Sequence, residues 1–207
     1  MTSTLREGDK TMWTYLRRWL LLALALGSLG WSAAAALAQP DPAQLAKAVE
    51  SVEYLDQLRH GLAASLAGSS PAGVDAETFK QVCRPVAVQA QALAQENGWQ
   101  VKQIAQKYRN PEHAPDNLHA TMALARFQRD PELIGFWERE VLAGQRGIRY
   151  YRRINVEASC LACHGPKDSR PAFIVSKYPQ DRAYDFKVGD LRGMYAVFIP
   201  EEEESPQ

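Results

Sequence analysis

The 207-residue sequence holds little of several things that would direct its reading elsewhere. It has no excess of one charge, with 24 basic and 24 acidic side chains, so it lacks the basic surplus of a nucleic-acid binder. It has only three cysteines, Cys83, Cys160 and Cys163, too few for a disulfide framework. No second cysteine or histidine pair accompanies Cys160 and Cys163, which argues against a zinc centre. It has no internal repeat. Its one long apolar run lies near the N-terminus.

That run reads as an export signal. Arg17 and Arg18 precede it, and Ala36-Leu37-Ala38 forms a small-x-small cleavage site before Gln39. Met12 is an alternative start, and Arg17-Arg18 alone is too little to specify twin-arginine export. An uncleaved anchor is the rival reading, because residues 19–38 reach the ~20 needed to span a bilayer. The alanine-rich end suits a peptidase better than lipid, so cleavage is favoured and membrane attachment follows only if the segment stays. Removing residues 1–38 takes four basic and two acidic side chains, leaving 20 and 22. The run Glu201 to Glu204 carries four of those acids, so residues 201–207 read as a solvated, disordered tail. The expected order is a signal peptide over 1–38, one domain over 39–200 and the tail.

Along the domain, Asp41 caps a first helix with Pro42 in its first turn. Leu45, Val49, Val52, Leu55, Leu58, Leu62 and Leu66 recur at helical spacing until about Gly68. A loop over 68–73 follows. A second helix starts after Asp75, carries Phe79, Val82, Cys83, Val86, Ala90 and Leu93 on one face, and stops at Asn97-Gly98. Pro85 lacks an N–H and should bend it. Residues 99–108 suit a strand, 109–116 a loop and 116–127 a short helix. Residues 135–143 and 148–156 alternate as strands, with Gly144-Gln145-Arg146-Gly147 as a hairpin turn. In the second of these, Ile148, Tyr150, Ile154 and Val156 share a face that only Arg152 interrupts. A last strand spans 194–200.

The chemistry lies in Cys160-Leu161-Ala162-Cys163-His164. Two thiols with two residues between them can add to the two vinyl groups of a porphyrin, and the adjacent histidine then meets the iron. An exported chain is also where haem c is attached, in the periplasm or a thylakoid lumen. The covalent cofactor expected is therefore haem c, with iron bound by His164. The sixth ligand has several candidates: His60, His113, His119, Met122, Met194 and Cys83, or none. His60 lies off the leucine stripe, and His113 sits in a proline loop that points to exposure. Methionines are more often core filler. Cys83 is the one cysteine left over, on an apolar helix face. An inert buried thiol and a ligand both fit it, and its own residues leave that choice open.

The order of Cys83-Arg84-Pro85, Arg109-Asn110-Pro111 with Pro115-Asp116, the haem motif and Gly189-Asp190-Leu191-Arg192-Gly193 resembles a family of cyanobacterial and proteobacterial c-type haem proteins with a PAS-like fold. The resemblance covers roughly 41–200. It implies an α+β fold, a central antiparallel sheet with long N-terminal helices beside it. It also implies an axial pair of His164 and Cys83. The chain departs from the family pattern at His113, where asparagine is usual, at His119, where glutamate is usual, and over Lys102-Gln103-Ile104. His119 therefore stays a competing ligand. A thiolate stabilises ferric iron and lowers the potential, and Arg84 with nearby helix amides would stabilise that thiolate. Arg149, Arg152 and Arg153 suit haem propionates, although an exposed strand face is the favoured reading of that cluster. Functionally, the resemblance implies a redox or small-ligand sensor that signals through an unidentified partner protein. A low-potential electron-transfer cytochrome is the alternative. A peroxidase would need an acid–base residue over an open site, for which only His119 offers itself; no enzyme activity is expected.

Overall fold

The computed structural model describes residues 41–66 and 73–201. The segment read as an export signal, most of the 68–73 loop and the acidic tail beyond Glu201 lie outside these residues. Among the described residues no helix is long and apolar enough to cross a membrane.

Helix α1 (Pro42–Ala64) begins where Asp41 accepts a hydrogen bond from Ala43 N at 2.9 Å. It ends at Ser65, a few residues before the expected Gly68. The second expected helix is two. Helix α2 (Ala76–Val82) is capped by Asp75, which accepts from Thr78 N at 2.8 Å. Helix α3 (Arg84–Asn97) ends at Gly98. The break falls on Cys83, earlier than the bend expected at Pro85. Pro85 has no N–H to give the carbonyl four residues back and its ring crowds that carbonyl, so the hydrogen-bond ladder is interrupted and the helix restarts with Pro85 in its first turn.

Strand β1 (Gln100–Ile104) follows at once, then a 3₁₀ turn over Pro111–His113 and helix α4 (Leu118–Arg129). The cap of α4 is Asn117, which accepts from Ala120 N at 2.8 Å. Asp116, the residue expected to open this helix, is held elsewhere by Arg149 at 2.9 Å and Lys102 at 3.3 Å.

Strands β2 (Gly135–Leu142) and β3 (Gln145–Asn155) form a hairpin through two residues, Ala143 and Gly144, not the four expected. Both have positive φ, 52° and 85°, the pair of angles that a tight hairpin turn of this hand requires. Strand β4 (Leu191–Pro200) completes a four-stranded antiparallel sheet in the order β1-β4-β3-β2. The expected α+β architecture, with long N-terminal helices beside an antiparallel sheet, is present.

Side-chain alternation divides the core by face. Tyr150 and Ile154 of β3 with Tyr195, Val197 and Ile199 of β4 pack against Ala48, Val52 and Leu55 of α1 and Val86 of α3. Tyr151, Met194 and Ala196 face the other way, onto Ala120, Ala123, Leu124 and Phe127 of α4. Burying an aromatic such as Phe127, which is fully covered, contributes ~1.5–3 kcal/mol. A register shift at Ile154/Asn155 takes Val156 off the face it was expected to share. It packs instead with Ala183 and Phe186.

Gly193 lies where β4 crosses close to β1. A Cβ there would sit 2.5 Å from the Ile104 carbonyl oxygen and 3.0 Å from Ala105 Cβ. Only glycine lets the two backbones approach this closely.

Candidate functional site

The motif Cys160 to His164 is wound into little more than one helical turn. A 3₁₀ turn over Ala158–Cys160 runs into the single-turn helix α5 (Leu161–His164). Residues three apart in such a turn share a side, so Cys160 and Cys163 both reach one cavity of about 580 Å³. His164 lines the same cavity. So does Cys83, brought there by the break between α2 and α3. The four residues expected to bind the cofactor are therefore gathered around one volume, of the size usual for a small-molecule site.

His164 is held in one tautomer. Its Nδ1 lies 2.7 Å from the Ala183 carbonyl oxygen, so Nδ1 carries the proton and donates it. The Nε2 lone pair is then free for a metal, the usual arrangement of a ligating histidine. Burial, followed by the charges of Arg192 and Arg109, pushes the imidazole pKa well below its ordinary value and keeps the ring neutral. Phe186 packs edge-on against the ring, centroids 6.0 Å apart.

A loop behind the motif fixes this geometry. The buried Asp181 accepts from Ala183 N at 2.9 Å, which sets the carbonyl that orients His164. It also pairs with Arg170 at 3.0 Å and Arg109 at 3.6 Å. Arg109 in turn donates to the Cys163 carbonyl at 2.7 Å. Asp185 N and Phe186 N donate to the carbonyls of Gly165 and His164. None of these supports was visible in the sequence, where the segment read as a loop after the motif. The one available signal was a run of charged and aromatic residues over 181–187.

Cys83 is exposed rather than buried in the core, yet the protein packed around its sulfur, and then Cys163, push the thiol pKa up to about 11, while Arg109 and Arg192 oppose the rise. These two arginines, rather than the expected Arg84, are the cations that favour its thiolate. Arg192 is itself pushed down to about 10 by burial and then by Arg109, and its Nη1 donates to the Lys107 carbonyl at 3.1 Å.

The charged residues around the cavity are of one sign. Arg59, Lys80, Arg84, Arg109, Lys177 and Arg192 line it, and no carboxylate does. The strand arginines expected at propionates are elsewhere and engaged. Arg149, 1% exposed, joins Asp116 at 2.9 Å to Glu140 at 3.1 Å. Arg152 reaches across to α1, bonding Glu53 at 2.9 Å and Asp56 at 3.0 Å. Arg153 donates to the carbonyls of Asp130, Pro131 and Leu133. They are neither at the cavity nor on an open strand face; each closes the sheet onto a neighbouring segment.

Most rival sixth ligands also lie away from the cavity. His119 is half exposed on α4, 3.4 Å from Glu138. Met122 is exposed on the same helix and Met194 is buried beneath it. His60 pairs with Glu157 at 2.5 Å. His113 is exposed, as expected, and also lines the cavity.

Fold and site together define an α+β protein built around one cavity, ringed by cations and carrying three cysteines and a neutral histidine. A family model, Tll0287-like, matches residues 37–200, and the chain belongs to that family. It is also similar to a solved structure described as the crystal structure of the cyanobacterial heme-protein Tll0287. The two share 52% identity with a TM-score of 0.71, over 80% of this chain and 99% of the other. Both findings agree with the resemblance read from the sequence. No curated protein sequence matches the chain.

Proposed function

We propose that this protein is an exported mono-haem c-type cytochrome that senses redox state or a small ligand. Its likeness to a solved haem protein supports the cofactor. The observation that carries the reading is the gathering of Cys160, Cys163, His164 and Cys83 around one cavity whose charged lining is entirely cationic. A haem is a flat apolar macrocycle with two carboxylates, and this lining complements it in polarity and charge. Cys160 and Cys163 would hold the macrocycle through thioether bonds, and His164 would offer its Nε2 to the iron. Cys83 would offer a thiolate, which Arg109 and Arg192 favour. When bound, the haem supplies a one-electron couple, and an anionic sulfur ligand biases it to low potential.

A thiolate that leaves on reduction, or under a diatomic gas, would convert the haem's state into a structural change at the break between α2 and α3. The signal would pass to a partner protein, in the periplasm or a comparable exported compartment. His119, the acid–base residue singled out in the sequence, lies outside the cavity lining.

Optical and EPR spectra of ferric and ferrous protein, with and without CO, test this for wild type and Cys83→Ala. The expected result is a low-spin ferric thiolate signature that the substitution abolishes. A Cys83→Ala spectrum identical to wild type would remove Cys83 from the site. A haem that keeps its thiolate on reduction and ignores CO would favour low-potential electron transfer instead.

A further inference from the structure

The cavity carries a second imidazole that the axial pair leaves unused. His113 closes the 3₁₀ turn after β1 and lines the cavity. Its backbone is fixed on both sides. Its carbonyl accepts from Ala105 N at 2.9 Å, and its N–H donates to the Asn110 carbonyl at 2.9 Å. The ring is fixed as well. Nδ1 lies 2.8 Å from the Gln103 carbonyl oxygen, a contact that only a protonated Nδ1 makes. The Nε2 lone pair is then free, and Nε2 has no hydrogen-bond partner among the described residues.

His164 is held in the same way, its Nδ1–H on the Ala183 carbonyl at 2.7 Å. Two imidazoles thus line one cavity, each with Nδ1 fixed by a backbone carbonyl and Nε2 free. Anchoring through Nδ1 is how proteins orient a histidine toward a metal. Of the other candidate donors, His60, His119, Met122 and Met194 are absent from the lining. His113 is therefore the one imidazole besides His164 on the cavity wall among the described residues.

Charge supplies the reason for a second donor. An anionic sulfur is matched to ferric iron, and its advantage over a neutral nitrogen shrinks when the iron gains an electron. We propose that His113 is an alternate sixth ligand, binding the haem iron through Nε2 when Cys83 leaves it on reduction. The step rests on the Cys83 reading above. A one-electron donor reduces the iron. The Fe–S bond breaks with its electron pair left on sulfur, which takes a proton from solvent and becomes a thiol. The Fe–N bond forms from the Nε2 lone pair. Nδ1–H stays on the Gln103 carbonyl, so the imidazole loses no proton.

The test uses full-length, haem-loaded protein at one fixed pH, with dithionite as reductant and optical and EPR detection. Wild type should be low-spin in both oxidation states. His113→Ala should keep the ferric thiolate signature and lose the low-spin ferrous spectrum, becoming high-spin and open to CO. A ferrous His113→Ala spectrum identical to wild type would overturn the proposal. Cys83→Ala gives an independent reading. With no thiolate to compete, its ferric haem should show a bis-imidazole EPR signal, which Cys83→Ala/His113→Ala should lose. A high-spin ferric Cys83→Ala protein would count against His113. Failure of the Cys83 reading is seen separately, as a wild-type ferric spectrum with no thiolate signature, and it would sink the exchange as well.

Discussion

Asp181 shows how much of the site depends on a residue outside the cavity lining. Its carboxylate is fully buried and holds Arg109, Arg170 and the Ala183 amide at once. Removing one partner of such a buried network leaves charges without compensation, at a typical cost of ~3–5 kcal/mol. Asp181→Ala should therefore lower the urea midpoint strongly and also disturb the haem absorption bands, since His164 loses the support of Ala183. A midpoint within ~1 kcal/mol of wild type would show that Arg109 and Arg170 find other partners. At this scale the sequence was informative where chemistry is local. Two thiols and a histidine in five residues announce themselves, and Asp41 and Asp75 were legible as caps because a cap is a contact across two or three residues. Asp181 was not legible, because its meaning comes from Arg109, 72 positions earlier. The strand arginines failed for the same reason: the carboxylates that hold Arg149 and Arg152 and the carbonyls after α4 that hold Arg153 cannot be read from a strand pattern.

Among the elements, the sheet's outer strand β1 depends on Gly193. A side chain there meets the Ile104 carbonyl and Ala105, backbone and near-backbone atoms that cannot rotate aside. Gly193→Ala should cost ~1–3 kcal/mol by overpacking. Because Gln103 lies on β1 and carries the His113 ring, the same substitution should loosen that imidazole. Equilibrium denaturation checks the first effect and the ferrous spectrum the second. An unchanged midpoint would mean that β1 can move outward without loss. The strands and most helices were legible in order because their periodicities are local. The hairpin turn, the break at Cys83 and the bulge after Ile154 were misjudged by one to a few residues. In each case a backbone requirement outweighed the side-chain pattern: positive φ at Ala143 and Gly144, the N–H that Pro85 lacks, and a register shift that sends Val156 to Phe186.

For the molecule as a whole, the acid stability of the haem-free protein should follow His164. Its folded pKa lies well below the ordinary value near 6.5, so below that pH the unfolded chain binds a proton that the folded protein refuses. Stability is complete above about pH 6.5 and falls as the pH drops toward the depressed folded value, by up to ~1.4 kcal/mol per pH unit. Urea midpoints between pH 7 and 5 should show this slope in wild type and a shallower one in His164→Gln. Equal slopes would place the acid sensitivity in other groups. The α+β class was legible at this scale because helical and alternating patterns occupy separate stretches, whereas the cationic lining was not. It is assembled from α1, the α2–α3 junction, the loop after β1, α6 (Ala172–Lys177) and the start of β4.

Cys83 and His164 stand 81 positions apart in the chain and line the same cavity. A group bound to both is a cross-link between the N-terminal helices and the segment that follows β3. A cross-link limits the disorder available to the unfolded chain, and the effect grows with the logarithm of the loop it closes. A thiolate bond made and broken by an electron would then alter the polymer topology of the whole domain. The oxidised and reduced forms would differ in resistance to unfolding and in how freely the helices open, and a partner could read that difference without touching the iron.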